Sequence, residues 1–105
     1  MYFYNVKIVE ISKVLSNTTR VQILQWLKKP AENFPPHKDI DHFDDGVCVG
    51  YIQDKAGLSQ STISTYLNSM QHANLVIPTR HGKWTYYRRN EEVIQQYLEA
   101  LKEQL

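Results

Sequence analysis

The chain has one cysteine, Cys48, so no disulfide can form within it. No apolar run is long enough to cross a bilayer. The N-terminus, Met1-Tyr-Phe-Tyr-Asn-Val-Lys7, lacks the charged region and long apolar stretch of a signal peptide. Together these absences point to a reducing cytoplasm and to no membrane partner. There is no internal repeat and no low-complexity segment. The four glycines are scattered, each at a turn or an element end, so no loop is built to cradle phosphate. No cysteine–histidine pair stands in a context suited to nucleophilic chemistry. Catalysis finds little support, and the chain is expected not to be an enzyme.

Excess charge of one sign is also missing from the whole, since the net charge is only +1. Its distribution is uneven. From Gly46 to Asn90 the cations Lys55, Arg80, Lys83, Arg88 and Arg89 face Asp54 alone. From Asp39 to Asp45 there are four aspartates (39, 41, 44 and 45) and no Lys or Arg. The C-terminal segment is acidic, with Glu91, Glu92, Glu99 and Glu103 against Lys102. A positive field confined to one segment is the footprint that phosphate attraction leaves. At 105 residues the chain makes one compact domain, 1–105, and not two.

Ile8, Ile11, Val14 and Leu15 recur at helical spacing and predict a helix over 4–15. Ser16 or Asn17 can cap a second helix running to about Lys29, with Val21, Leu24 and Leu27 inward. Lys28 and Lys29 suit its C-terminus, and Pro30 stops it. Residues 31–45 read as an irregular insertion, because Pro35-Pro36 cannot lie inside a regular element. A third helix is expected from Val49 to Ala56, with Val49, Ile52 and Ala56 inward and Gly57 as its left-handed stop. Ser59 then caps a fourth helix through His72, carrying Ile63, Tyr66, Leu67 and Met70 on its inner face. Asn74 suits the left-handed residue after it. Leu75–Thr79 and Trp84–Arg88 read as paired strands joined by a turn over 80–83, with Gly82 free to take positive φ. Asn90 caps a final helix, with Glu91 and Glu92 in its first turn. The order is α-α-α-α-β-β-α, mainly α with a small β-hairpin. A helix with small polar residues outward, followed directly by a basic hairpin, describes a winged helix-turn-helix.

In that architecture the N-terminal half of the fourth helix (59–72) meets base edges. Gln60, Ser61, Thr62 and Thr65 are the candidate readers, by amide, hydroxyl or methyl. Ser59 reads better as a cap, and Ser64 as a phosphate contact or a packing residue. Arg80 and Lys83 at the wing tip (80–83) are candidate phosphate or minor-groove contacts, and His81, mostly neutral at pH 7, is a weaker one. Arg88 and Arg89 are open to two roles, phosphate contact or pairing with Glu91 and Glu92. Trp84, Tyr86 and Tyr87 read as filling between sheet and helices, in preference to base stacking.

The segments 15–24, 58–67, 73–75 and 82–88 (LSNTTRVQIL, LSQSTISTYL, ANL and GKWTYYR) resemble ArsR/SmtB-type winged-helix repressors. The resemblance covers nearly the whole chain apart from 31–45. It implies a homodimer built from the first and last helices, operator binding through the fourth helix and the wing, and an inducer, a metal in many members. Cys48 matches the first thiol of a familiar metal motif, but Gly50 stands where the second would be. From Glu91 to Leu105 there is no His or Cys for the other familiar site. No metal or other cofactor is therefore the favoured expectation, and the inducer is unknown.

Val93, Ile94, Tyr97, Leu98, Leu101 and Leu105 are many apolar residues for an outer helix. They are expected to form a dimer seam with Ile8, Ile11 and the Tyr2-Phe3-Tyr4 terminus, and a two-fold dimer asks for a palindromic operator. Cys48 is open to three readings: a buried small hydrophobe, a redox switch, or a metal ligand joined by His37, His42 or an insertion aspartate. The expected function is a cytoplasmic, homodimeric, DNA-binding repressor. The rivals are a thiol- or metal-responsive sensor through Cys48 and a winged-helix protein-interaction module without DNA binding.

Overall fold

Helix-end chemistry sets most element bounds in the computed structural model, which describes residues 7–37, 39–40 and 42–105. Helix α1 spans Ile8–Val14; the predicted start at 4 and the Tyr2-Phe3-Tyr4 terminus lie outside the described residues. Asn17 caps α2 (Thr18–Lys28), its side-chain oxygen accepting from the Arg20 backbone N–H at 3.0 Å. The buried face of α2 is Ile23, Leu24 and Leu27, with Val21 only half-buried, so the inward stripe is turned slightly from the expected one.

Pro30 does more than stop α2. It is the first residue of a one-turn helix, α3 (Pro30–Asn33), where its missing N–H costs nothing. The 31–45 segment is thus not wholly irregular. A second addition is strand β1 (Val47–Cys48), so the wing is a three-stranded antiparallel sheet rather than a hairpin alone. Helix α4 (Val49–Ala56) ends at Gly57 with φ 67°, and α5 (Gln60–His72) begins at the Ser59 cap, whose Oγ accepts from the Thr62 N–H at 3.2 Å. Asn74 takes φ 61° and turns the chain into β2 (Val76–His81), one residue later than expected. Strand β3 (Trp84–Arg89) returns to α6 (Glu91–Gln104), where the Asn90 side chain accepts from the Val93 N–H at 3.2 Å.

The sheet order is β1-β3-β2, with Val47 opposite Tyr87 and Cys48 opposite Tyr86. The core gathers Ile23, Leu24 and Leu27 of α2, Ile52 of α4, Ile63, Leu67 and Met70 of α5, and Leu75, Val76 and Tyr97. Gly46 brings the insertion back under β3. Its φ is 94°, and a Cβ there would lie 1.9 Å from the Tyr87 carbonyl oxygen. Only glycine permits that approach.

Candidate nucleic-acid interface

Helices α4 and α5 form the two arms of the helix-turn-helix. Ile63, Leu67 and Met70 bury one face of α5, while Tyr66 is half-buried with the Arg20 guanidinium 5.2 Å from its ring centroid. The opposite face carries Gln60, Ser61, Ser64, Thr65 and Asn68, all exposed, and Thr62, half-buried. Three predicted readers have local engagements, Ser61 among them, its Oγ 3.2 Å from Ser59 Oγ. The Ser59 hydroxyl donates to Thr62 Oγ1 at 2.9 Å, and Thr65 Oγ1 donates to the Ser61 carbonyl at 2.9 Å. Such bonds hold the hydroxyls in place.

The hairpin pairs from Val76 opposite Arg89 up to His81 opposite Trp84, so its tip is only Gly82 and Lys83. The expected four-residue turn is tighter because Arg80 and His81 belong to β2. Gly82 supplies the positive φ of 59° that a two-residue turn needs. Arg80 is exposed, and its Nε donates to the Gly82 carbonyl at 2.8 Å. Lys83 is exposed, with its ammonium 5.1 Å from the centroid of the Trp84 ring. Arg80 and Lys83 therefore stand together at one end of the molecule.

The two arginines left open by sequence differ. Arg89 donates to both Glu91 carboxylate oxygens, at 2.8 and 3.0 Å, and reaches the Leu24 carbonyl at 3.3 Å. It is a structural residue. Arg88 is exposed. His81 is not a free tip residue either: its Nε2 lies 2.6 Å from Asp45 Oδ2. Tyr86 is buried, and burial first, then the neighbouring Cys48, Asp39 and Tyr51, raises its phenol pKa above the ordinary value. Burial raises that of half-buried Tyr87 as well.

Sequence reasoning named His37 only as a possible metal ligand beside Cys48 and missed its place beneath the wing. It is buried in the insertion, 5.0 to 5.5 Å by ring centroids from Tyr51, Trp84 and Tyr86, and its Nδ1 lies 3.1 Å from the Tyr86 hydroxyl. Its partners lie up to 49 residues away, beyond any local signal.

Known proteins share this arrangement. The uncharacterized HTH-type transcriptional regulator YbzH of Bacillus subtilis is 47% identical over 97 residues, spanning 92% of this chain and 97% of YbzH. The putative arsenical resistance operon repressor ArsR2 of Halobacterium salinarum is 30% identical over 96 residues, spanning 90% of this chain and 70% of that protein. The chain belongs to the ArsR family of transcriptional regulators.

Solved structures agree on the fold of this ArsR-family regulator. The homodimeric winged helix-turn-helix DNA-binding domain Mb0332 of Mycobacterium bovis matches with a TM-score of 0.63 at 24% identity, over 90% of this chain and 74% of that one. No family model matches the chain. Membership makes the protein a regulator of transcription and not an enzyme. Among the described residues, no helix is long and apolar enough to cross a membrane.

The residues present do not fit the family's familiar metal sites. In this ArsR-family regulator Cys48 is 2% exposed, paired in the sheet with Tyr86, and alone as a thiol. Among the described residues, no group of three or more His, Cys, Asp or Glu side chains is placed to hold a metal ion. A single thiolate makes a poor soft-metal site.

The predicted seam residues divide by burial. Ile11 and Tyr97 lie in the core of the chain, and Ser12 Oγ is 2.7 Å from the Tyr97 hydroxyl, tying α1 to α6. Ile8, Ile94 and Leu101 are half-buried. Leu98 and Leu105 are exposed, as is Val9 on α1.

Proposed function

We propose that this regulator is a homodimeric repressor that reads a palindromic operator. The observation that carries the reading is the joint placement of an outward polar face on α5 and an exposed Arg80–Lys83 wing tip. Gln60, Ser61, Thr62 and Thr65 face base edges, with Ser64 at the backbone. Arg80, Lys83 and Arg88 take phosphates. The repressor role is supported by the name of the Halobacterium relative.

The dimer joins two copies through α1 and α6, with Val9, Ile8, Ile94, Leu98, Leu101 and Leu105 supplying the apolar contacts. Support comes from the 66% exposure of Val9 and 52% exposure of Leu98, and from the homodimeric state of Mb0332. Two-fold symmetry then sets half-sites about one helical turn, roughly 34 Å, apart.

A fluorescence-anisotropy titration against the regulator's own promoter and an unrelated duplex, across a salt series, tests this. Tighter promoter binding at two subunits per site is the expected result. Absence of binding to either duplex at low salt overturns the DNA reading in favour of a protein-interaction module.

A further inference from the structure

His37, Asp39 and Asp45, between α3 and β1, lie against one face of the wing. His81 opposes Trp84 and Thr79 opposes Tyr86 in the β2–β3 register, so His81, Trp84 and Tyr86 share that face. Each meets a different residue of the segment. Trp84 Nε1–H donates to Asp39 Oδ2 at 2.7 Å, Tyr86 hydroxyl lies 3.1 Å from His37 Nδ1, and His81 Nε2 lies 2.6 Å from Asp45 Oδ2. On its other side the His37 ring packs on Tyr51 of α4, the first arm of the helix-turn-helix. Gly46 then fastens the end of the segment beneath the Tyr87 backbone.

We propose that residues 37, 39–40 and 42–46 form a strap that sets where the wing stands relative to the recognition helix. Asp39 and Asp45 are its positioning residues. Asp39 holds the Trp84 indole, and the Trp84 ring in turn carries the Lys83 ammonium; Asp45 holds His81 beside the tip. The strap is a permanent fixture and not a lid, because His37 is buried and Gly46 admits no side chain. The proposal rests on the reading that Arg80 and Lys83 contact phosphates.

Charge and position make opposite demands here. Asp39 and Asp45 are anions beside a DNA-facing tip, so by Coulomb's law alone their removal strengthens binding to every duplex. A positioning role requires instead that discrimination be lost. The test compares the full chain with Asp39→Ala, Asp45→Ala, the double variant, and Asp39→Asn, which keeps an acceptor for the indole. Melting temperatures confirm folding, and the single variants serve where the double one does not fold.

In anisotropy titrations, the alanine variants are expected to bind an unrelated duplex at least as well as wild type. Their operator-to-unrelated affinity ratio falls about fivefold, the scale of one net hydrogen bond, and Asp39→Asn restores it at that position. Equal gains on both duplexes, with Asn behaving as Ala, overturn the proposal and leave the aspartates as repelling charges only. Amide and indole NMR of the DNA-free protein separates this from the DNA reading. Faster motion at Gly82 and Lys83 and a shifted Trp84 indole resonance in the alanine variants support the strap, even if wild type binds no DNA. A tip as rigid as wild type, with the indole resonance unmoved, overturns it.

Discussion

Replacing Lys83 with alanine removes one cation from each wing of the proposed dimer and little else. The side chain is exposed, and its aromatic contact is the Trp84 ring at 5.1 Å. An exposed cation–π contact is worth about 0.5–1 kcal/mol, so the fold survives its loss. On DNA the effect is larger and has a distinctive form. Each phosphate contact adds about 0.9 to the slope of log K against log salt, so two wings make the slope shallower by about 1.8. Between about 50 and 200 mM salt, wild-type affinity then falls about twelvefold further than that of the variant. The assay is anisotropy on operator and unrelated duplexes, in which both should lose the same slope because phosphates carry no sequence. An unchanged slope at an unchanged melting temperature would refute the wing–phosphate contact. A slope change confined to the operator would refute the assignment of Lys83 to phosphate.

Other expectations follow from α5, α6 and the buried residues. Gln60→Ala should relax base preference at one position per half-site and cost about 1–3 kcal/mol for each half-site, read by titrating single-base operator variants. Leu98→Glu puts a charge into the proposed seam and should weaken dimerisation by about 2 kcal/mol or more, seen as a shift to monomer in sedimentation with the helical circular dichroism retained. Gly46→Ala combines φ 94° with a Cβ 1.9 Å from the Tyr87 carbonyl oxygen. It should destabilise by about 3 kcal/mol, lowering Tm by about 15 °C. Cys48 is 2% exposed, so it should resist an aromatic disulfide reagent in the native protein and react at once in denaturant; rapid native reaction would revive the thiol-sensor reading.

The helix-turn-helix was legible because its signals are local. Gly57, Ser59 and Asn90 act within one turn of themselves, and the apolar spacing of Ile63, Leu67 and Met70 needs no partner to be recognised. What sequence hid depends on residues far apart in the chain. Strand β1 has two residues and exists only because Tyr86 and Tyr87 lie opposite. The burial of His37, the pairing of His81 and the docking of the insertion on the wing arise across the same long separations. The apolar stripe of α6 was visible, but periodicity does not say what covers each residue. Tyr97 is covered by its own chain, whereas Leu98, one residue on, is half exposed. Arg88 and Arg89 are identical in type, and only the position of Glu91 and the Leu24 carbonyl separates their roles.

The neck of the hairpin is a mechanical joint. The Asn90 N–H donates to the Leu75 carbonyl at 2.9 Å, closing the sheet where α5 has just ended and α6 is about to begin. The recognition helix and the last helix thus leave one rivet, like two arms of a tool. Length at the Gly82–Lys83 end can vary without changing the angle between those arms. A single residue inserted at the neck is expected to change it, and with it the span between the two recognition helices of the proposed dimer.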